Sequence, residues 1–419
     1  MRLSVTSEVG RLKTVLVHLP GTEIDVMLPS MMEELLFDDI LFGRVAREEH
    51  RRFQQMIRFV ADEVYDLQDL LEETLEDPDA RADVAADFSR RLRLTPKLRE
   101  RLEALSAEQL AQAIVVGLPL TTGEAHEISP VPNLFFMRDP QVVIGDGVAI
   151  SSMATEARSR ESLISHYVFR KHPALRQRDI FWMDFYEEPW PRSKAKKKLR
   201  PTIEGGDVLV PRRDMLLVGV TERTNRAGVE YLASSLVASK AGVRTIYVVE
   251  IPKKRSYMHL DTIFTLISRN ECLLFPPVIR PGGPESAKVF RLDLTKKAPV
   301  YSEEKSLLSA LKRQKIDLEP IPCGGARLID QQREQWTDGA NAFALSPGII
   351  ILYERNTRTA DELNRHGYHI VYEDDLLLGR TELELWNDKK YALMIQGNEL
   401  SRARGGPRCM TMPLEREEI

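Results

Sequence analysis

The chain has 419 residues and a formal net charge of -4, with 43% hydrophobic and 29% charged residues. This balance is typical of soluble globular proteins and argues against disordered and membrane-embedded classes. Such a charge offers no general electrostatic footprint for a phosphate backbone, so we expect no nucleic-acid partner. No stretch approaches the length of a membrane span and the N-terminus lacks a small-residue cleavage site, so we expect no membrane partner and a cytoplasmic location.

The length exceeds that of one compact domain of typical size, which predicts one large domain carrying an addition, or two domains. At 13–19 the sequence KTVLVHL predicts a buried strand, and a short helix is expected over MMEELLFDDIL at 31–41. Apolar residues at helical spacing predict a longer helix over 44–63. A second strand is expected at 64–67.

The composition changes after this second expected strand, where Ala, Leu, Glu and Arg dominate and strand-like runs are missing. Pro96 and Ser106 mark helix starts within this segment. We therefore predict an inserted helical domain at 69–129. The main α/β domain is expected to consist of residues 1–68 and 130–419.

After position 130 the chain becomes strand-rich and contains a weak internal repeat of hairpins. The segment at 205–225 parallels the one at 339–359, since each has a small or polar start, two apolar strands around a turn with Pro, and a helix opened by Thr or Asn. Segments 260–279 and 139–153 are looser versions. Strand pairs separated by helices predict radial repetition of a ββα-type module more than a single open parallel sheet. Polar residues at the hairpin starts would then converge.

Lysine and arginine cluster in one stretch, WPRSKAKKKLRP at 190–201, which has a proline near each end. The simplest interpretation is a solvated loop. An anion contact is the less favoured alternative.

Three cysteines are candidates for a nucleophilic thiol: Cys272, Cys323 and Cys409. They are too few and too scattered for a disulfide framework or a paired-CxxC metal cage, and the eight histidines never form HxxxH or HExxH, so we expect no metal. Cys272 lies in an apolar strand and is most simply an inert hydrophobe. Cys323, in the Gly-rich turn IPCGGARL, is the nearest rival of Cys409, whose neighbours Arg404 and Arg408 favour a thiolate.

Polar groups stand beside apolar strands at four hairpin starts, at 133–140, 204–207, 258–262 and 404–413. Together these segments supply Asp139, Glu204, Asp207, His259, Asp261 and Cys409. A thiol, a histidine and several carboxylates form a coherent set for nucleophilic attack on a cationic carbon. Each alone has a structural explanation, such as a core histidine or a surface ion pair, but four such clusters at corresponding places would be a large coincidence.

His259 and Asp261 are two residues apart, so on a strand both side chains would point to the same face. The glycine pair of EGGD lets the backbone turn tightly between its two carboxylates and lets a neighbour approach closely.

These motifs resemble those of the arginine deiminase family, in the guanidino-group modifying superfamily. The resemblance runs from EELLFDDILF at 33–42 through HEISPVPNLFFMRDP, EGGD, MHLDT and GANAFALSPG to RCMTMP, which is nearly the whole chain. It implies an α/β fold, a five-bladed propeller with an inserted helical bundle. It also implies cofactor-free hydrolysis of L-arginine to L-citrulline and ammonia through a covalent amidino-cysteine intermediate, in a homodimer or homotetramer.

The resemblance implies roles for individual residues. It makes Cys409 the nucleophile, His259 the general acid/base and Glu204 the carboxylate that partners the histidine. Asp139 and Asp261 match the pair that clamps the guanidinium.

Six further residues are placed around the substrate by the resemblance: Asn133, Phe136, Arg158, Arg223, Asp207 and Arg404. The first two match positions that line the pocket. The arginines in EARSRES and TERTN resemble those that hold the substrate carboxylate, and the one before the cysteine resembles a mobile-loop arginine. The aspartate of EGGD is the least defined, since it can support the network without touching substrate.

The sequence departs from the family at Pro407 and Arg408, where Gly and His are common, so the closing loop could move differently. An amidinotransferase or another guanidino-modifying hydrolase would share the thiol, histidine and acidic clamp. A non-catalytic arginine-binding sensor is an alternative of another class. The matches at Arg158 and Arg223 favour free arginine, and the complete set of catalytic residue types favours an enzyme.

Overall fold

The computed structural model describes residues 1–119, 126–175, 181–184, 200–296, 300–385 and 387–419, the third range by its backbone alone. Within these ranges the chain has a mixed α/β fold. No described helix is long and apolar enough to cross a membrane. The expectation for the basic stretch falls on residues of which only the last two, Arg200 and Pro201, are described.

Helices and strands alternate along most of the described chain. The α-helices, numbered in chain order, are α1 (Met32–Leu35), α2 (Gly43–Arg58), α3 (Leu67–Leu75), α4 (Pro78–Arg91), α5 (Pro96–Glu103), α6 (Ala107–Val115), α7 (Ser159–Lys171), α8 (Arg226–Ala238), α9 (Pro276–Ile279), α10 (Leu307–Arg313), α11 (Leu328–Trp336), α12 (Thr357–Arg365) and α13 (Glu373–Leu377). The strands are β1 (Leu12–Val17), β2 (Glu63–Asp66), β3 (Leu118–Pro119), β4 (His126–Ile128), β5 (Gln141–Ile144), β6 (Gly147–Ile150), β7 (Phe181–Asp184), β8 (Val208–Arg212), β9 (Met215–Val220), β10 (Thr245–Glu250), β11 (Phe264–Leu266), β12 (Glu271–Leu274), β13 (Lys288–Asp293), β14 (Val300–Glu304), β15 (Glu319–Pro322), β16 (Phe343–Ser346), β17 (Ile349–Tyr353), β18 (Tyr368–Tyr372), β19 (Lys390–Ile395) and β20 (Met412–Arg416).

Five of the sheets formed by these described strands share one pattern, in which an antiparallel pair is extended by a parallel strand. They are β5-β6-β7, β8-β9-β10, β11-β12-β15, β16-β17-β19 and β20-β1-β2. In four of them the antiparallel pair is a hairpin of consecutive strands. In the fifth, β1 pairs with β20 from the far end of the chain, and Val15 lies opposite Pro413. Strands β13 and β14 extend the second sheet and β18 extends the fourth.

The N-terminal predictions are largely confirmed. The strand expected at 13–19 is β1, the strand expected at 64–67 is β2, and the long helix between them is α2. The expected helix at 31–41 is shorter than predicted, because a 3-10 turn and α1 end at Leu36, whose left-handed backbone (φ 55°) stops the helix.

Helices α3 to α6 occupy most of the segment predicted to be helical. The antiparallel pair of β3 and β4 also lies within 69–129, so the expectation that this segment has no strands is wrong. Both predicted starts are confirmed: α5 begins at Pro96, and Ser106 caps α6 through a capping box with Gln109. Their buried side chains belong to the same hydrophobic cluster as strand residues of the main sheets, with Phe88 and Val142 among its members. These helices therefore pack against the sheets through an apolar interface.

The predicted hairpins are present and each is followed by a helix. β8 and β9 precede α8, whose N-cap Asn225 accepts a hydrogen bond from the Gly228 backbone at 2.9 Å. β16 and β17 precede α12, β11 and β12 precede α9, and β5 and β6 precede α7. Short 3-10 turns at Gly205–Asp207 and Leu260–Thr262 lead into β8 and β11. Asp207 and Asp261 lie in these turns, and Glu204 and His259 immediately precede them.

Candidate active site

The cysteine near the C-terminus lies in a tight turn that leads into β20. Arg404 opens this turn in the left-handed region, with φ 64°. A Cβ on Gly405 would lie 2.1 Å from the ring of Phe136, so glycine is required for this close approach. The turn thus brings Cys409, which is 5% exposed, against the segment that carries NLFFMRDP.

One buried amide, that of Asn341, organises this turn. Its Oδ1 accepts hydrogen bonds from the backbone N–H groups of Arg408 and Cys409 at 3.0 and 3.2 Å. Its Nδ2 donates to the carbonyl oxygen of Asp261 at 3.1 Å. Asn341 therefore fixes the cysteine turn relative to the MHLDT segment. The sequence analysis missed it, although it stands at the start of the hairpin GANAFALSPG, in the place that Asp207 of EGGD occupies in the parallel hairpin.

His259 lies between two carboxylates. Its Nε2 is 2.8 Å from Glu204 Oε2, and its Nδ1 is 3.6 Å from Asp139 Oδ1. Burial alone would lower the pKa of His259, but the Asp139 charge and the Glu204 hydrogen bond raise it to about 10. Burial alone would raise the pKa of Glu204, but the hydrogen bond and charge of His259 lower it to about 2. The pair is therefore an imidazolium and a carboxylate near neutral pH.

Asp261 is fully buried and is held by Arg408. The Arg408 Nη1 donates to Asp261 Oδ2 at 2.7 Å, while its Nε and Nη2 contact the two oxygens of Glu8 at 3.1 and 3.2 Å. Asp261 Oδ2 is also 3.9 Å from the sulfur of Cys409. An N-terminal glutamate thus positions the residue that precedes the cysteine, a contact that sequence analysis did not anticipate.

The expectation that His259 and Asp261 share one face of a strand is wrong in its secondary structure. His259 immediately precedes the 3-10 turn Leu260–Thr262, and Asp261 lies within this turn, which leads into β11. Both side chains still reach the same site, because the Asp207 carboxylate accepts the Leu260 N–H at 2.8 Å and holds the turn. The turn, not strand alternation, brings them together.

The three cysteines differ in their surroundings. Cys272 and Cys323 are fully buried, and burial raises the pKa of each thiol. Burial, with the charges of Asp261 and Asp139, also raises the pKa of Cys409 well above its ordinary value. Among the described residues Cys409 is the one cysteine that lines the cavity described next.

A small cavity lies over the sulfur, with a volume of about 30 Å³. Most of the residues predicted for this site line it: Asn133, Phe136, Asp139, Arg158, Arg223, His259, Arg404 and Cys409. The described lining also includes Leu36, Asp38, Met258, Thr262 and Ala403, which sequence analysis did not single out. A volume of this size suits a water molecule, not an amino acid, so a larger ligand requires these walls to separate.

Arg158 does not point a free guanidinium into the cavity. Its Nη1 donates to Asp139 Oδ2 at 2.8 Å, and its Nε and Nη2 pair with Glu161 at 2.8 and 2.7 Å. Arg223 is less engaged: its Nη2 contacts the Met258 sulfur at 3.7 Å and its Nε is buried without a described partner. Asn133 is anchored by donating from Nδ2 to the Leu35 carbonyl at 2.8 Å.

Three predicted site residues do not line the cavity, as far as the described residues define it: Glu204, Asp261 and Asp207. Asp207 is the one of them predicted to bind substrate. Its oxygens accept from the Leu260 N–H and the Thr221 hydroxyl, both at 2.8 Å. Burial raises the pKa of Asp207 to about 7. It supports the turn behind His259 and does not contact the space above the sulfur.

Three segments meet above the cavity. The Arg404 guanidinium stacks on the Trp336 ring, 3.4 Å from its centroid, and donates to the Arg255 carbonyl at 3.4 Å. The Arg255 guanidinium in turn pairs with Asp38. The segment around α1, the turn Arg255–Tyr257 and the cysteine turn are thereby joined over the sulfur.

One cluster of described residues has the spacing of a metal site, since ligand atoms of Asp139, Glu204 and His259 lie within 4.8 Å of one another. An imidazolium offers no lone pair to a metal, and the raised pKa of His259 keeps the ring protonated near neutral pH. Arg158 adds a second cation against Asp139. The cluster is therefore already balanced by positive charge, which disfavours a metal ion.

A family profile and the similar protein sequences agree on one family. The profile of the family described as arginine deiminase matches residues 33–121 and 118–416. The arginine deiminase of Bacillus thuringiensis subsp. konkukian is 32% identical over 441 residues, covering 100% of this chain and 99% of that protein. Those of Clostridium perfringens and Borreliella afzelii are each 34% identical, over 450 and 449 residues, covering 100% of this chain and 98% of each protein.

Solved structures with the same fold are more distant in sequence. An amidinotransferase from Microseira wollei aligns with a TM-score of 0.51 at 14% identity, covering 100% of this chain and 98% of that one. The N-terminal domain of a cyanobacterial arginine dihydrolase, solved with bound product, aligns with a TM-score of 0.51 at 14% identity, covering 96% and 97%. At this identity the likeness concerns the fold alone.

Proposed function

Because the chain belongs to the arginine deiminase family, it hydrolyses arginine to citrulline, and we propose that Cys409, His259, Glu204, Asp139 and Asp261 carry this reaction. The guanidino C–N bond is the bond that is cleaved. The assignment of roles rests on the geometry of these five side chains.

Two buried carboxylate oxygens without a hydrogen-bond partner in the described part of the chain carry the proposal, one of them 3.6 Å from the Nδ1 of His259. Asp139 Oδ1 and Asp261 Oδ1 are buried and have no hydrogen-bond partner within the described residues. Their partner oxygens are already held by Arg158 and Arg408. A guanidinium stays protonated in proteins and carries five N–H donors in a planar fork, so two fixed carboxylate acceptors are a natural receptor for it. Clamped between them, its central carbon would face the sulfur.

The arriving cation also prepares the nucleophile. Surrounding carboxylates hold the Cys409 thiol in its neutral form, and a guanidinium between them removes that penalty. The thiol proton leaves to solvent, and the thiolate attacks the guanidinium carbon to give a neutral tetrahedral adduct. The reactive sulfur is therefore formed chiefly in the complex with substrate.

His259 then transfers protons in both directions. Its imidazolium protonates one amino nitrogen, the C–N bond breaks, and ammonia leaves a cationic amidino-cysteine. The neutral imidazole next removes a proton from water as the oxygen attacks the same carbon. The C–S bond breaks, the thiolate is restored, and the remaining hydroxyl proton goes to solvent, which leaves citrulline. Glu204 stabilises the imidazolium at both stages.

Arg158 and Arg223 are proposed to hold the substrate carboxylate, with Asn133 and Phe136 lining the pocket. Since Arg158 is paired with Asp139, this role requires the guanidinium of the substrate to compete for the same carboxylate. Arg404 must leave its place above the cavity because the enclosed volume cannot contain arginine. Binding and closure are thus coupled through the carboxylates that clamp the substrate.

Acid-quench trapping with labelled arginine tests the nucleophile and the substrate together. Label is expected on the peptide that contains Cys409. Cys409→Ser should abolish turnover with unchanged circular dichroism, whereas the matched variant Cys323→Ser should keep it. Turnover in Cys409→Ser, or label on the Cys323 peptide, would show that the assignment is wrong.

The same family membership supports further proposals about the whole chain. We propose that the five sheets of shared pattern are the blades of an α/β propeller, that 69–129 is a helical domain inserted between 1–68 and 130–419, and that the chain forms a homodimer or homotetramer in the cytoplasm. The repeated order of antiparallel pair and parallel strand supports the first of these. A crystal structure with solution light scattering tests the architecture and the subunit number.

A further inference from the structure

A second, larger cavity lies beside the catalytic one. It has a volume of about 470 Å³ and lies between the 29–42 segment, the loop after α4 and the 3-10 turn Glu156–Arg158. This volume is within the range of small-molecule sites, at roughly 300–1,000 Å³. Leu36 lines both cavities. We call this second cavity the flanking groove.

The floor of the flanking groove contains an unpartnered cation. Arg160 lines it and is only 7% exposed. Its Nη2 donates to the Pro130 carbonyl at 2.9 Å, but its Nη1 has no hydrogen-bond partner within the described residues. The Thr155 hydroxyl, also on the lining, is buried and likewise unpartnered. Both groups can donate, so both call for an acceptor such as a carboxylate.

The rim of the flanking groove has the opposite charge. Glu34, Glu127 and Glu156 line it and are exposed, and one of them, Glu127, pairs with Arg101 at 3.2 Å. These carboxylates would repel a simple anion on its way to Arg160. The buried guanidinium would repel a simple cation that entered the groove. A molecule that carries both charges satisfies both parts of the groove.

Apolar side chains separate the two charged parts. Leu36, Leu92 and Leu94 line the groove together with Ile128. Such a wall accommodates a short methylene chain. We propose that the flanking groove is a second binding site for a cationic α-amino acid of the arginine class, with its carboxylate on Arg160, its methylene chain on the leucines and its side-chain cation at the glutamate rim.

The site is placed to communicate with the catalytic cavity. The turn Glu156–Arg158 has Glu156 on the groove and Arg158 on the catalytic cavity, and Leu36 contacts both spaces. Occupancy of one cavity would therefore bias the other by mutual linkage. The binding test of this second site rests on the proposed function only in using citrulline to fill the catalytic cavity, and it involves no turnover.

Equilibrium dialysis with labelled L-ornithine tests the site, because ornithine carries the two charges and the chain but no guanidinium. The wild-type protein is saturated with citrulline, so that the catalytic cavity is filled. One equivalent of ornithine per chain should bind, with a dissociation constant in the millimolar range. Ornithine binding that appears only when citrulline is left out, or no binding up to about 20 mM, would overturn the proposal.

Two sets of variants locate the bound ornithine. Arg160→Gln should weaken binding at least about tenfold, and the exposed pair Glu34→Gln with Glu156→Gln should weaken it several-fold without disturbing the core. Glu108→Gln, an exposed change on α6 away from the groove, is the matched control. If Arg160→Gln does not fold, ornithine binding by the double glutamate variant alone tests whether the ligand lies in the groove. Ornithine binding that neither set weakens would show that it lies elsewhere.

A second amino acid tests whether the site requires a cationic side chain. L-norleucine has the same carboxylate and a similar chain but lacks the second cation. Its binding should be several-fold weaker than that of ornithine. Equal binding of the two would overturn the assignment to a cationic amino acid.

Discussion

At the scale of single residues, the side chain of Asn341 holds two parts of the site, the cysteine turn and the segment of Asp261, in place relative to each other. Its amide is completely buried and makes three hydrogen bonds, two to the backbone of the cysteine turn and one to the backbone of the clamp residue Asp261. The distance between sulfur and clamp therefore depends on this side chain, which needs no contact with the substrate, as well as on the pair of Arg408 with Asp261. Misplacement of reacting groups by about 1 Å can cost about 100-fold in rate.

Asn341→Ala should lower kcat by about 100-fold, because the cysteine turn and the Asp261 segment lose their common partner. Asn341→Asp should also be impaired, since a carboxylate cannot donate to the Asp261 carbonyl and adds negative charge beside the thiol. Alkylation rates of Cys409 with iodoacetamide should fall in both variants. Asn356, equally buried but bonded to Thr337 away from the cavity, provides the control. Asn356→Ala should lose stability while its alkylation rate stays near that of the wild type.

A second prediction at this scale concerns the pH dependence of stability. Burial raises the pKa of Asp207 from 3.8 to about 7. A carboxyl that binds its proton more tightly in the folded state contributes stability fully below about pH 3.8, and this contribution is lost as the pH rises through about 7. In Asp207→Asn this pH-dependent loss of stability should not occur, because an amide does not ionise. The amide oxygen can still accept the hydrogen bond from the Leu260 N–H.

The melting temperature of Asp207→Asn relative to wild type should therefore be higher at pH 8 than at pH 5. The KM for arginine should stay within about twofold, because both Asp207 oxygens already accept hydrogen bonds, from the Leu260 N–H and the Thr221 hydroxyl. A stability difference that is the same at both pH values would mean that the carboxyl is not protonated in the folded state. A large rise in KM would instead point to direct contact with substrate.

At the scale of elements, the site is covered by three segments that meet at Arg255. Its guanidinium pairs with Asp38 on the segment around α1, and its carbonyl accepts from Arg404 in the cysteine turn. The Arg255 side chain is 68% exposed, so the pair contributes little to global stability. Its effect is local, since it joins elements that must separate before arginine fits.

Arg255→Ala should change substrate binding without changing the melting temperature. The freed segments should close less well over arginine, so KM should rise by about three- to tenfold while kcat changes less. Steady-state kinetics at fixed pH measure both constants. Arg327→Ala, which breaks an exposed pair with Asp330 remote from the cavity, is the control. Equal KM in both variants would show that the Asp38 pair plays no part in closure.

Local sequence patterns predicted most helices and strands, because the start of a helix or the turn of a hairpin depends on residues that are neighbours in the sequence. Capping by Ser106 and the hairpin before α8 follow from short-range chemistry, and both are present. The helix expected at 31–41 ended early because Leu36 adopts a left-handed backbone, a tertiary effect with no sequence pattern. The turn at Leu260–Thr262 replaced an expected strand because the Asp207 carboxylate binds its backbone.

The sequence predicted which residues form the candidate site, but it did not predict all the contacts between them. Hairpin starts and family resemblance together indicated the thiol, the histidine and the carboxylates, and the structure brings these into one cluster. The pairing of Arg158 with Asp139, and the hydrogen bond that Arg408 donates to Glu8, join residues far apart or on different elements. Periodicity and spacing carry no information about such contacts, so they could not be foreseen.

At the scale of the whole molecule, the charge network beneath the cysteine spans both ends of the chain. Glu8 pairs with Arg408 across 400 positions, and β1 pairs with β20 beside it. Although burial would raise the pKa of Glu8, Arg408 and Arg138 lower it to about 2. A depressed carboxyl pKa contributes stability above the unfolded value near 4.5, and that contribution is lost as the pH falls through about 2.

Glu8→Gln should lower the free energy of unfolding at pH 7 by about 3 kcal/mol, since it leaves Arg408 buried with one partner fewer. Activity should also fall, because Arg408 holds Asp261. Urea unfolding at pH 7 and at pH 3 measures the effect, and the difference from wild type should shrink at the lower pH. Glu417→Gln, which breaks a half-exposed pair with Arg11, should cost less than about 1 kcal/mol. Similar losses in the two variants would contradict the buried-network explanation.

The pairing of β1 with β20 has a consequence for folding. The sulfur is carried into place by a strand whose partner lies about as far away in the sequence as this chain allows, so it takes its position only after contacts of very long sequence separation have formed. Intermediates that have folded only the central sheets would bring the histidine and its carboxylates together without the thiol. Recovery of arginine hydrolysis during refolding would then report completion of the last long-range contacts, later than recovery of secondary structure.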